Sequence, residues 1–469
     1  TVSTDYDECD RLYFEEISLE TLIELYRKER PMGVILSVGG QLPNKLALPC
    51  HRAGIRVLGT SPVNIDRAED RNKFSRLMES LGILQPPWRE LTSWDEARAF
   101  AAEVGYPVIV RPSYVLSGAA MGVASNDDEL ARLLEGAAEI SSEHPVVMSK
   151  FIENAKEIDV DAVARDGSVV CQAVCEHVEN AGVHSGDATL VLPPQRTYLE
   201  TMRRIRKITG RIAAALNING PFNIQFLARD NNVMVIECNL RASRSFPFVS
   251  KVLRSDFIDT ATRVIMGRPV AADGDLYLNL DYVGVKAPQF SFTRLEGADP
   301  LLGVEMASTG EVACLGWDFD EAFLKALLSV GFRFPLRRVL LSTGPVEGKA
   351  YFLKGLRMLE SLGVEFYATH GTARFMRENG LEPREVFWPL EDGDPNALEV
   401  IRNGGLDLVI NIPKDHGREE LTNDYIIRRA AVDYGVPLVT NLQIAQRLAE
   451  ALSRLGMDDL KVRPWRTYR

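Results

Sequence analysis

The stretch Phe222-Asn223-Ile224-Gln225-Phe226-Leu227, followed by Asp230-Asn231-Asn232 and then Val233-Met234-Val235-Ile236-Glu237-Cys238-Asn239, carries the most information in the chain. Apolar and polar residues alternate on both sides of a polar turn, which is the pattern of a β-hairpin. With residues 230–232 as the loop, Leu227 faces Val235, Gln225 faces Glu237 and Asn223 faces Asn239. One face is then apolar near the turn and polar at the open end. Directly opposed side chains have Cβ atoms ~4.5–5.5 Å apart, so Gln225, Glu237 and Asn239 come within reach of one divalent ion. Oxygen donors of this kind suit Mg2+ or Mn2+, which bridge nucleotide phosphates rather than fill an all-protein cage. A solvated strand end is the competing reading.

The sequence just past the hairpin favours the ion. Arg241 and Arg244 follow Asn239 within five residues, in Cys238-Asn239-Leu240-Arg241-Ala242-Ser243-Arg244. Guanidiniums beside a carboxylate and an amide clamp an anion bidentately, and Pro247-Phe248-Val249 points to partial burial. A second group is Arg111-Pro112-Ser113-Tyr114-Val115-Leu116-Ser117-Gly118. There, a small-residue loop lets backbone N–H groups approach phosphates, although an ordinary turn reads the same way. His184, in Val183-His184-Ser185-Gly186-Asp187, draws its weight only from this company. Glu157, Asp159 and Asp161 alternate along one strand face and read as a solvated stripe, the first within reach of a ribose.

Farther out, Gly33-Val34-Ile35-Leu36-Ser37-Val38, a helix over 43–53 and a strand over 55–58 make a βαβ unit, hence a parallel pair. Two strands do not complete an open sheet, so this unit reads as lacking its beginning. Asp66 with Glu69 reads as a helix start. Strands dominate from 106 to 239, with a hairpin of 157–164 and 169–178 about Asp166-Gly167. After residue 335 strands and helices alternate as in a doubly wound domain. The 469 residues suffice for two or three domains of ~100–200 residues. A net charge of −11 disfavours a nucleic-acid partner, and no apolar run approaches the ~18–20 residues of a membrane span. The six cysteines form no CxxC pair, so the compartment reads as reducing and cytoplasmic, with the mitochondrial matrix also admitted.

Taken together, Asp66-Arg67-Ala68-Glu69-Asp70-Arg71, Arg111-Pro112-Ser113-Tyr114, Glu176-His177-Val178-Glu179, Gly182-Val183-His184-Ser185-Gly186-Asp187 and Glu237-Cys238-Asn239-Leu240-Arg241 resemble the ATP-grasp fold. More closely, they resemble the C-terminal half of the carbamoyl phosphate synthetase large subunit. The resemblance implies an α/β and α+β multidomain chain. Its parts would be an incomplete Rossmann-like pre-ATP-grasp unit (1–62), an ATP-grasp synthetase domain (63–335) and a methylglyoxal-synthase-like allosteric domain (336–469). It implies phosphorylation of carbamate by ATP to carbamoyl phosphate. Arg71, Arg111, Ser117, Gly118, Ile152, Glu157, His184, Gln225 and Glu237 would contact ATP. Gln225, Glu237 and Asn239 would hold Mg2+ or Mn2+. Asn239, Arg241 and Arg244 would act on carbamate or the transferring phosphoryl group. Implied partners are the N-terminal synthetase half of the same subunit, a glutaminase subunit or domain, and a small effector.

Departures from the family pattern bear on regulation. Members activated by ornithine use three acidic residues; Glu179 and Asp187 match two, but Ala287 stands at the third. In the last domain Thr369, Thr372 and Asn411 match the effector pocket, and Trp388 stands where N-acetylglutamate-activated members carry Trp. Lys414 and Asp424 fall where those members carry Asn. The expectation is a small acidic effector of the acylamino-acid type. Alternative readings are another ATP-grasp carboxylate or carbamate ligase, or an inactive ATP-grasp scaffold serving as a regulatory module.

Overall fold

The computed structural model describes residues 7–112, 121–140, 146–271, 280–413 and 418–468. It forms two compact units: Thr1–Glu176 with Leu192–Asn279, and His177–Val191 with Leu280–Arg469.

In the first unit, β1 (Val34–Ile35) and β2 (Val57–Leu58) pair in parallel, Val34 opposite Val57, as the βαβ reading requires but with shorter strands. The helix expected over 43–53 is two helices, Gln41–Lys45 and Ala47–Arg52, that meet at Leu46. The expected helix start at Asp66 is corrected. Pro62–Glu69 is already helical, with proline in its first turn, where the missing N–H costs nothing. Asp70 caps the next helix, Arg71–Ser80, by accepting the Lys73 N–H at 2.9 Å, while Asp66 pairs with Lys73 Nζ at 2.6 Å.

An antiparallel sheet follows, of β3 (Trp88–Leu91), β4 (Val108–Pro112), β5 (Gly122–Ala124) and β6 (Val146–Lys150), in the order β3-β6-β4-β5. Its apolar core includes Phe100, Val108, Val110, Leu130 and Met148. The chain then runs through β7 (Lys156–Arg165), β8 (Ser168–Asn180), β9 (Leu190–Leu192), β10 (Gly220–Arg229) and β11 (Asn232–Asn239). Asp166 and Gly167, at φ +48° and +78°, make the tight turn between β7 and β8. The strand order within this unit is β11-β10-β7-β8. Glu157, Asp159 and Asp161 are buried, at 6%, 3% and 0% exposure, which corrects the solvated stripe. The reason is register: they lie opposite Leu227, Gln225 and Asn223 on the central strand β10.

In the second unit β9, β12 (Val283–Gln289) and β13 (Gly310–Gly316) are neighbours in that order, followed by helix Phe319–Ser329. Then β14 (Arg338–Thr343), β15 (Glu365–Thr369), β16 (Arg384–Val386), β17 (Leu408–Ile412) and β18 (Leu438–Val439) form a sheet of order β16-β15-β14-β17-β18. All its pairs are parallel and the order runs outward from β14 in both directions, which makes it doubly wound. One apolar core joins Val285 and Phe323 to Val339, Phe352 and Leu448. The cysteines are free, with Cys50, Cys171, Cys175 and Cys238 buried. No helix among the described residues is long and apolar enough to cross a membrane.

Candidate active site

The hairpin reaches its expected register by a different route. Asp230 and Asn231 both take left-handed backbone, at φ +49° and +64°, so the turn has two residues and Arg229 faces Asn232. Asn and Asp tolerate that region, and such a turn matches the twist of the flanking strands. Leu227 therefore faces Met234, not Val235. An irregularity between Gln225 and Phe226 leaves Ile236 as the extra residue, and beyond it Gln225 faces Glu237 and Asn223 faces Asn239. The shorter turn and the bulge cancel, so the polar open end stands as the sequence predicts.

Around that end the first unit gathers the candidate residues. Asn239 Nδ2 donates to Glu237 Oε1 at 2.9 Å, and Arg241 Nη2 to Asn239 Oδ1 at 3.3 Å. Arg71 Nη2 stands 3.9 Å from Glu237 Oε2, placed by the helix that Asp70 caps. Arg111 leaves the edge of β4 and is pushed down to about 10 by burial first and by the charge of Arg71 second. Glu237 and Glu157 oppose that shift. Arg111 Nε and Arg241 Nε are buried without a hydrogen-bond acceptor. Crowded cations with unspent donors form a site whose electrostatic cost a polyanion relieves.

The donor set fits a magnesium-type ion. It consists of one carboxylate, Glu237, and the amide oxygens of Gln225 and Asn239. That is too sparse for a protein cage and sufficient for an ion that keeps water and phosphate oxygens. Sequence reasoning missed Glu69, which it read only as part of a helix cap. Its carboxyl is raised by burial, with Arg241 opposing and Glu237 reinforcing, and it accepts Asn44 Nδ2 at 2.8 Å. No local pattern marks it, because its neighbours come from distant segments.

Other candidates sit elsewhere. Ile152 is partly buried between β6 and β7. Ser117 and Gly118 lie outside the described residues. His184 belongs to the second unit, where its N–H donates to the Gly303 carbonyl at 2.8 Å and its Nδ1 accepts the Gly186 N–H at 3.0 Å. Nearby, Asp187 accepts the N–H groups of Ala307 and Ser308, at 2.8 and 2.9 Å. Glu179, raised by burial, accepts the Thr189 N–H at 2.9 Å, and Ala287 is buried in β12.

At the C-terminal ends of β14, β15 and β17 a buried polar network forms. Asn411 Nδ2 and Ser342 Oγ donate to Asp424 Oδ1 at 2.7 and 3.2 Å. Thr369 Oγ1 donates to Ser342 Oγ at 3.4 Å, and Thr372 Oγ1 accepts the Thr343 N–H at 3.1 Å. The expected strand-to-helix turn is present, Thr369 preceding helix His370–Glu378. Trp388 packs against the apolar group of Val386, Ile401 and Ile427. Lys414 lies outside the described residues.

Residues 1–67 match the carbamoyl phosphate synthase preATP-grasp domain, 70–272 the carbamoyl-phosphate synthase L chain ATP binding domain, and 352–440 the MGS-like domain. The multifunctional protein pyrABCN of Emericella nidulans is 55% identical over 97% of this chain and 20% of its own length. The human mitochondrial carbamoyl-phosphate synthase (ammonia) is 48% identical over 98% of this chain and 31% of its own length. The chain thus spans about a fifth to a third of these relatives. Among solved structures, the biotin carboxylase domain of Hydrogenobacter thermophilus 2-oxoglutarate carboxylase has TM-score 0.56 at 17% identity, covering 69% of this chain and 80% of that one. Biotin carboxylase of Campylobacter jejuni has TM-score 0.53 at 18% identity, covering 66% and 76%. These two share the fold, while the ordered succession of matched segments decides the family: the chain belongs to the carbamoyl-phosphate synthase large-chain family of ATP-grasp ligases.

Proposed function

We propose that this chain phosphorylates carbamate with ATP, giving carbamoyl phosphate and ADP, as the second ATP-using half of a larger synthetase. The observation that carries this is the open hairpin end, where Gln225, Glu237 and Asn239 converge beside Arg71, Arg111 and Arg241. A carbamate oxygen attacks the γ-phosphorus; the new O–P bond forms as the bond to the β-phosphate oxygen breaks, and ADP leaves. Phosphoryl transfer of this kind asks for alignment and charge stabilisation more than for a protein nucleophile. Arg71 and Arg111 hold the nucleotide phosphates, and Arg241 and Arg244 hold the carbamate and the moving phosphoryl group. Gln225, Glu237 and Asn239 would hold Mg2+ or Mn2+, which supplies neutralisation of charge on the phosphates.

The domain limits in this reading are 1–62, 63–335 and 336–469. The N-terminal synthetase half is the proposed partner in the same polypeptide, and the nitrogen source is either glutamine, through a glutaminase subunit or domain, or free ammonia. The network of Ser342, Thr369, Asn411 and Asp424 supports a second role, binding of a small acidic effector, with the buried Arg428 joined to it through Asn411 Oδ1. Calorimetry that finds UMP bound and N-acetylglutamate unbound overturns the acylamino-acid assignment.

The central test supplies Mg2+, ADP and carbamoyl phosphate and measures ATP. Turnover by the wild type, abolished in a folded Glu237→Ala variant, is expected. Nucleotide binding without ATP formation speaks for the regulatory scaffold, and undiminished turnover in Glu237→Ala refutes the metal assignment.

A further inference from the structure

Asp161 is fully buried on β7, directly opposite Asn223 on β10, which is itself opposite Asn239 on β11. Its Oδ1 accepts Asn223 Nδ2 at 2.9 Å and Ser243 Oγ at 2.6 Å, and its Oδ2 accepts Ser245 Oγ at 2.5 Å. The two hydroxyls also lie 2.9 Å from each other. One carboxylate therefore grips the residues on either side of Arg244. Just upstream, the Ala242 N–H donates to the Ser37 carbonyl at 2.9 Å, which pins the same loop beside Arg241. Downstream, the Ser245 carbonyl accepts the Val249 N–H at 2.9 Å as helix Phe246–Leu253 begins.

A buried carboxylate is costly unless its lone pairs are used, and this one spends them on a loop rather than on a lysine or arginine. We propose that Asp161 is the positioning residue of the 241–245 loop, fixing through Ser243 and Ser245 where the Arg241 and Arg244 guanidiniums meet the transferring phosphoryl group. The inference rests on the phosphoryl-transfer reading for those two arginines. Asp161 does not itself touch the reacting atoms. Hydroxyl-to-carboxylate bonds are short and directional, so the loop has one preferred setting. A displacement near 1 Å in such a group costs ~100-fold in rate.

The test uses the isosteric pair Ser245→Thr and Ser245→Val. In the ADP-plus-carbamoyl-phosphate assay, Ser245→Val is expected to lower kcat ~10- to 100-fold while leaving the Kd for MgADP within about twofold. Ser245→Thr restores the hydroxyl and is expected to restore kcat. A role in packing alone predicts that Thr and Val behave alike, and equal kcat in the two overturns the proposal. A second readout separates this inference from the reaction it rests on. Aluminium fluoride added to MgADP mimics a transferring phosphoryl group without any carbamate. Wild type and Ser245→Thr should bind MgADP more tightly with fluoride present, whereas Ser245→Val should show no gain. If the wild type forms no ATP yet this fluoride pattern holds, the carbamate reading fails and the positioning role stands. If fluoride tightens ADP in Ser245→Val as in the wild type, the positioning role fails.

Discussion

Removing Asp299 should damage the second unit more than removing the arginine it pairs with. Arg428 has a side chain only 1% exposed, while Asp299 is 38% exposed. The guanidinium donates through Nε to Asp299 Oδ1 at 2.7 Å, through Nη2 to Oδ2 at 2.6 Å, and through Nη1 to Asn411 Oδ1 at 2.8 Å. Asp299→Ala leaves a buried guanidinium without its counter-ion, and breaking a buried pair in this way costs ~3–5 kcal/mol. Arg428→Met leaves a carboxylate that solvent reaches, so its expected cost is smaller, ~1–3 kcal/mol. The double variant should then lie near Arg428→Met, because the stranded charge is gone. The assay is thermal unfolding of the intact chain, followed through the transition of the second unit. For a unit of this size each kcal/mol moves the midpoint ~2–4 °C, so Asp299→Ala should fall by roughly 6–20 °C. An Asp299→Ala midpoint at or above that of Arg428→Met refutes the reasoning.

Four further outcomes are expected. Burial holds Asp161 at about 6 against an ordinary 3.8, so its protonated form favours the fold. That contribution is complete below pH 3.8 and lost as pH rises through 6, leaving wild type ~3 kcal/mol worse relative to Asp161→Asn at pH 7.5 than at low pH; parallel urea midpoints would contradict it. His370 is raised, first by its hydrogen bond to Glu385 and also by Glu391, so wild type should exceed His370→Gln in melting temperature below pH 6.5 and lose that margin as pH rises past the raised value. Arg111→Met should raise the melting temperature of the ligand-free protein, by removing a desolvated cation beside Arg71, while weakening ATP binding ~10-fold or more by calorimetry; a variant that is less stable and binds ATP normally reverses both assignments. Asn231→Val, at φ +64°, should lose ~1–2 kcal/mol in urea unfolding, and Asn231→Gly should lose far less.

Much of the site was legible because its signals are local. Alternation from 222 to 239 marks a hairpin whatever surrounds it, and the arginines that follow are tied to its open end by chain connectivity. The doubly wound domain declared itself in the same way, through strands and helices each with its own periodicity. Even the error at the turn was harmless, because the two-residue loop and the extra Ile236 offset each other before Gln225. Asp66 and Glu69 misled because a capping pattern is short and occurs by chance inside a helix as readily as before one.

The residues that escaped were those whose meaning depends on a neighbouring segment. An alternating Glu157, Asp159, Asp161 face has the same sequence whether it meets water or a polar strand, and only the pairing of β7 with β10 buries it. Asp161 then finds hydroxyls 82 and 84 residues away, and Arg428 finds Asp299 at a separation of 129. The sequence established the elements, the hairpin's polar end and the family, since these rest on periodicity and short motifs. The folded chain assigned burial, partners and charge balance. Those follow from which distant groups are excluded from water together, and that is a property of packing, not of spacing along the chain.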